Sequence, residues 1–204
     1  MGMLRSYWID ALRSWARGLD PAYELFIKGK RTLDIGCGAG ALLRKAPDLI
    51  EGIDVNATLV ERLVQEGLKV QRASATSLPY PDATFDVVNC AHVIEHLVPQ
   101  DAQLMLREAQ RVLRPGGLLL LNSPMPGTVW NTFGHVKPYP PMAVRKLFRQ
   151  TSLEAFDSVP AFTIRRVVYL GGWSWNKLTF LLSTLIANLT PWCRSTYLME
   201  IEKK

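Results

Sequence analysis

The feature that most constrains this chain is Thr32-Leu33-Asp34-Ile35 running into Gly36-Cys37-Gly38-Ala39-Gly40. Leu33 and Ile35 flank a single acid in a short apolar run, the pattern of a buried strand ending at Gly36. Glycines at alternate positions let the backbone turn sharply and approach a ligand without a Cβ in the way. The spacing of Ala41, Leu42, Leu43 and Ala46 predicts a helix directly afterwards, whose free N–H groups and positive dipole end face the same crevice. Strand, glycine turn and helix in that order call for an α/β fold with a ligand beyond the strand's carboxyl end.

A second apolar run, Ile50-Glu51-Gly52-Ile53-Asp54-Val55, puts an acid at the end of the next strand. A carboxylate there can accept hydrogen bonds from both hydroxyls of a ribose, as in dinucleotide sites. A dinucleotide fingerprint sets its third glycine three positions after the second, whereas Gly36, Gly38 and Gly40 are evenly spaced. Further strands are predicted over 68–72, 84–90, 118–121, 153–159 and 197–201, and helices over 57–66, 101–113 and 142–150. Trp8, Leu12, Trp15 and Leu19 fall at helical spacing in the first twenty residues. Near the other end, Leu178, Leu181, Leu182, Leu185, Ile186 and Leu189 predict a helix with a wide apolar face, and Thr179, Ser183, Thr184 and Asn188 line its other side. That face suits packing on the sheet, peripheral membrane contact or dimerisation.

The even glycine spacing with Asp34 just before it resembles the cofactor loop of class I S-adenosylmethionine (SAM)-dependent methyltransferases. Three later segments carry the same resemblance. Ala73-Ser74-Ala75-Thr76 with Leu78-Pro79 resembles the adenine-binding loop, with Ser74 where the family has an acid; a hydroxyl accepts a weaker hydrogen bond than a carboxylate. His92-Val93-Ile94-Glu95-His96-Leu97 looks like the segment after the fourth strand in quinone and lipid methyltransferases, and Arg114-Pro115-Gly116-Gly117 before an apolar strand is frequent in the family. The resemblance covers 32–159 and the last strand. It implies a doubly wound, seven-stranded, mostly parallel Rossmann-like sheet with an antiparallel last strand, to which the leucine spacing over 178–189 adds a C-terminal helical insertion. One domain then spans 1–204: an N-terminal cap helix, a SAM-binding core over 30–160, an insertion or lid over 161–192 and a final strand over 196–202. It also implies SAM as cofactor, held by Asp34, Gly36, Cys37, Gly38, Gly40, Asp54, Val55, Ser74, Ala75, Thr76 and Cys90.

Methyl transfer is an in-line displacement in which a site supplies orientation, exclusion of water and, for a hydroxyl or ring acceptor, removal of a proton. The candidate bases are His92, His96 and His135, the chain's three histidines. The Asn/Asp-Pro-Pro-aromatic signature used on amino groups is missing after the fourth strand, and no Pro-Cys pair offers the nucleophile used on cytosine. His92, Glu95 and His96 include adjacent residues, which rarely point to one ion, so no metal site is expected. The loop over 122–141, rich in proline and carrying Trp130, Phe133 and Tyr139, suits a substrate wall. A small or lipophilic acceptor is therefore expected. The net charge of +6 is scattered along the chain, which disfavours nucleic acid as a partner. Two alternatives stand beside this reading, a SAM-binding partner subunit without catalysis and a nicotinamide-dependent oxidoreductase.

Three cysteines without metal-ligand spacing, no signal-peptide pattern and no apolar stretch of membrane-spanning length lead to the expectation of a cytoplasmic protein.

Overall fold

Val87 and Val88 are neighbours on one strand yet belong to two separate apolar clusters, and so do the consecutive residues Leu118 to Leu121. Alternation of side chains across a pleated strand puts each on the opposite face, so both faces of the sheet are buried. The structure is a computed structural model that describes residues 23–149, 152–153, 156–157, 159, 162–171, 177–190 and 194–204. The helix expected in the first twenty residues, residues 172–176 and Cys193 lie outside the described residues.

The strands are β1 (Thr32–Ile35), β2 (Ile50–Asp54), β3 (Val70–Arg72), β4 (Phe85–Ala91), β5 (Leu113–Pro124), β6 (Ser152–Leu153), β7 (Phe156–Asp157), β8 (Phe162–Gly171) and β9 (Arg194–Lys203). Among the described residues the main sheet has seven strands in the order β3-β2-β1-β4-β5-β9-β8. Strands β1 to β5 run parallel, β9 is antiparallel to β5, and β8 is antiparallel to β9. Strand β1 pairs with β2 on one side and β4 on the other, so the order reverses beside β1 and opens a crevice there. The helices are α1 (Ala57–Gln65), α2 (Pro99–Val112), α3 (Pro126–Val129), α4 (Pro141–Arg149) and α5 (Lys177–Leu189). Asn56 starts α1, its side chain accepting from the Leu59 N–H at 3.2 Å.

Two expectations are corrected. The helix predicted after the glycine loop is a single 3-10 turn, Leu43–Lys45. Pro47 disfavours helical backbone at the residue before it, and Ala46 leaves the helix at φ −155°, ψ 76°. Among the described residues, none of those within 153–159 joins the main sheet: β6 and β7 make a separate two-stranded ladder. The edge strand is β8, which carries Arg165 and Arg166 in succession and so breaks the alternation by which strands are read. A bulge between Ile164 and Arg166 explains the break, because it inserts Arg165 as an extra residue opposite β9. Both arginines then face acids, Arg165 donating to Glu202 from Nε at 2.8 Å and Arg166 lying 3.5 Å from Glu200.

Helix α5 sits the opposite way round from a core helix. Ser183, Thr184 and Ala187 are buried, whereas Leu182, Leu185, Ile186 and Leu189 are exposed. Its polar side meets backbone: the Asn188 side chain accepts from the Tyr169 N–H at 3.0 Å and donates to the Tyr169 carbonyl at 2.6 Å, and the Gly171 N–H donates to Thr184 at 3.2 Å. Among the described residues no helix is long and apolar enough to cross a membrane.

Candidate functional site

All three glycines after β1 have positive φ, +68° at Gly36, +51° at Gly38 and +77° at Gly40, a conformation that L side chains rarely adopt. They differ in what surrounds them. A Cβ on Gly36 would overlap Val93, and one on Gly40 would come within 2.6 Å of Leu63, whereas Gly38 has nothing within 4 Å. Gly36 and Gly40 thus allow close packing, and Gly38 borders open space. The loop is tied to β2 by three hydrogen bonds that its N–H groups donate, two to backbone and one to a side chain. Gly36 and Cys37 both donate to the Ile53 carbonyl, and Gly38 donates to Asp54 Oδ2 at 2.9 Å. Asp54 Oδ1 accepts from the Asn56 N–H at 2.9 Å, so backbone N–H groups hold both oxygens of the carboxylate at the end of β2. Val55, next in sequence, is 67% exposed.

Asp34 is buried and accepts from Asn89 Nδ2 at 2.7 Å, its register partner on β4. Burial pushes its carboxyl up to about 6, the Asn89 hydrogen bond opposes this, and the charge of Asp54 adds to the rise. Cys37 faces the core beside Gly52 and Leu43, and burial pushes its thiol up to about 12. Cys90 is fully buried and its thiol donates to Met105 Sδ at 3.5 Å, so its side chain is occupied away from the crevice.

The loop after β3 is joined to β2 through the Ala73 N–H, which donates to the Asp54 carbonyl. Ser74 Oγ accepts from the Thr76 N–H at 3.2 Å and lies 2.7 Å from Thr76 Oγ1, a side-chain turn that leaves Ser74 exposed and Ala75 buried. Farther along, Arg111 on α2 donates to the carbonyls of Leu78 and Tyr80 and grips Glu108 with two nitrogens, while Glu108 accepts from the Leu78 N–H. Helix α2 therefore fixes this loop through a forked ion pair.

Beyond β4 the chain turns at His92, a residue other than glycine with φ +57°, and strain of this kind is concentrated at functional sites. His92 Nδ1 lies 3.1 Å from Glu95 Oε1, and its ring is 53% exposed whereas the glutamate is fully buried. Ser123 of β5 donates to Glu95 Oε2 at 3.0 Å. Burial raises the Glu95 carboxyl, but hydrogen bonds from His92, from backbone and from Ser123 outweigh it and leave the group below the ordinary carboxylate range. The loop after α3 folds back on this turn, with Val136 and Lys137 donating to the Glu95 carbonyl and the Tyr139 hydroxyl to that of Leu97. It brings His135 to His96, with ring centroids 4.6 Å apart and ring planes at 77°.

The structure thus gathers Asp34, the glycine loop, Asp54 and the 73–76 loop at one end of the parallel strands. Val93 links them to the histidine turn. Sequence reasoning missed Glu95 as the buried partner of His92, together with Ser123 and Asn89. The signal for Glu95 was an acid inside the apolar string Val93-Ile94-Glu95, three positions from His92.

Residues 33–121 match a family model described as a methyltransferase domain. The 27-O-demethylrifamycin SV methyltransferase of Amycolatopsis mediterranei is 40% identical over 105 residues, 46% of this chain and 38% of that protein. The ubiquinone/menaquinone biosynthesis C-methyltransferase UbiE of Hahella chejuensis is 36% identical over 107 residues, 46% of this chain and 42% of that protein. The aligned part amounts to less than half the length of either relative. A SAM-dependent methyltransferase from Archaeoglobus fulgidus superposes with a TM-score of 0.66 over 95% of this chain and 93% of its own, at 19% identity, a likeness of fold. Residues 33–121 thus match a methyltransferase domain, and the sheet order together with the superposition gives the chain the fold of a SAM-dependent methyltransferase.

Proposed function

We propose that the protein transfers a methyl group to a small or lipophilic acceptor lodged between the glycine loop and the loop over 125–140. The observation that carries this reading is the contact of Gly36 with Val93, which sets a cofactor loop directly against a strained, histidine-bearing turn. The residues present fit SAM: Gly38 borders open space, Asp54 offers free lone pairs to ribose hydroxyls, Val55 offers an apolar surface to adenine, and Ala75 and Thr76 offer backbone groups to its edge. Asp34 lies nearest the loop's start and suits the cationic amino-acid end. When bound, SAM supplies an electrophilic methyl group on a sulfonium. His92 takes the acceptor's proton, its Nδ1–H held by Glu95 and its Nε2 left as the accepting atom. Trp130, Phe133 and Met142, exposed on and beside the covering loop, give an apolar wall, in keeping with relatives named for rifamycin and quinone methylation.

A panel of phenolic and polyketide acceptors incubated with SAM carrying a labelled methyl group tests the reading. Label transferred to at least one acceptor is expected, with His92→Ala lowering kcat by about 10² to 10⁴. SAM at 100 times its dissociation constant raises folding stability by about 2.7 kcal/mol, a gain that Asp54→Ala removes. A melting temperature indifferent to SAM rejects the site as assigned.

A further inference from the structure

We propose that Glu95, His96 and His135 form a binding site for one divalent cation of the zinc, cobalt or nickel class. One potential ligand atom from each of the three lies within 4.8 Å of the other two. The tautomers point the same way. His96 Nδ1 faces the Gly134 carbonyl at 3.1 Å, and His135 Nδ1 faces the Val129 carbonyl at 2.5 Å. A carbonyl only accepts, so each Nδ1 carries the ring proton and each Nε2 keeps a lone pair. Ring N–H groups anchored on backbone carbonyls are the outer-shell arrangement that orients metal-binding imidazoles and raises their basicity. The carboxylate is equally prepared. Glu95 is fully buried and held by Ser123 and His92, and each of its oxygens retains a second lone pair for an ion.

Two imidazoles and one carboxylate suit borderline divalent ions, which bind such donors at about 2.0 to 2.2 Å and leave open positions for water or substrate. The three residues come from two segments far apart in sequence that the Val136 and Lys137 N–H groups pin together at the Glu95 carbonyl, so the backbone brings the donors into one place. Cation binding stands on these residues alone. Its use in orienting an oxygen-bearing acceptor, through the open coordination positions, rests on the methyltransferase reading above.

The test uses the full chain, stripped with a chelator and titrated with Co²⁺ while the visible ligand-field spectrum is recorded. A spectrum of four- or five-coordinate cobalt that saturates at one equivalent, and is erased by one equivalent of Zn²⁺, is expected. His96→Ala and His135→Ala should each lower Co²⁺ affinity at least tenfold while keeping the wild-type far-UV circular dichroism. A wild-type spectrum that stays like that of the hexaaqua ion overturns the proposal without reference to any variant, and so do folded variants that bind as tightly as wild type. Stabilisation by SAM in a protein that binds no cobalt removes the metal site alone; cobalt binding without stabilisation by SAM removes the methyltransferase reading alone.

Discussion

Asp34 shows how one buried carboxyl can serve two states of the protein. In the free protein its pKa is raised to about 6, mainly by burial, so the folded chain holds this proton more tightly than the unfolded chain does. The contribution to stability therefore grows as pH falls from about 6 toward the ordinary value of 3.8, by at most about 1.4 kcal/mol per unit. Cofactor affinity runs the other way. A cationic ligand end needs the carboxylate ionised, so SAM binding weakens below pH 6 by up to about tenfold per unit. Calorimetric titration at pH 7.5 and pH 5 measures this, and Asp34→Asn should flatten both slopes; slopes unchanged in that variant would assign them to other groups. The glycines separate in a similar manner. Gly38→Ala meets only the backbone cost of a left-handed residue, about 1 to 2 kcal/mol, yet fills the open side of the loop, so its loss of SAM affinity exceeds its loss of stability. Gly36→Ala adds overlap with Val93 and should destabilise the fold more in urea melts.

At the level of elements, α5 shows why a periodic pattern gives the type of an element and leaves its orientation open. The spacing of its leucines was legible as a helix, and burying the apolar side is the usual outcome. Here the helix lies along a strand whose N–H and C=O groups point sideways, and hydroxyl and amide side chains satisfy them where leucines could not. Asn188→Leu, which makes the helix more apolar, is accordingly expected to cost about 1 to 3 kcal/mol, because it strands both backbone groups of Tyr169. Leu189→Ser, at a position 76% exposed, should stay within about 0.5 kcal/mol of wild type. Equilibrium urea denaturation distinguishes the two, and the reverse ranking would mean that α5 buries its leucines.

For the whole molecule, the legible part was the parallel half. Strands β1, β2, β4 and β5 are runs of Val, Ile and Leu bounded by turn residues, and the glycine loop with Asp54 implied their arrangement around a cofactor. What escaped reading depends on groups distant in the chain: the bulge that pairs Arg165 with Glu202, the meeting of His96 with His135 across the covering loop, and the burial of Glu95 under Ser123. Local pattern carries little trace of such meetings beyond the acid set in the apolar string Val93-Ile94-Glu95. Both apolar layers share the strands β4, β5 and β9, so neither can melt alone. Urea unfolding followed by circular dichroism and by intrinsic fluorescence should give one coincident transition, and separated midpoints would divide the chain into two units.

The amide and hydroxyl groups that α5 lays along β8 bear on how copies of this protein can meet. A bare outer strand is a template on which a foreign segment can grow by main-chain pairing, and native proteins blunt such margins to prevent fibre-like growth. Tyr169 and Gly171 are already engaged at the end of β8, and the opposite margin is only three residues long in β3, so both flanks are blunted there. Displacement of α5 should free these groups and raise the protein's tendency to β-type aggregation.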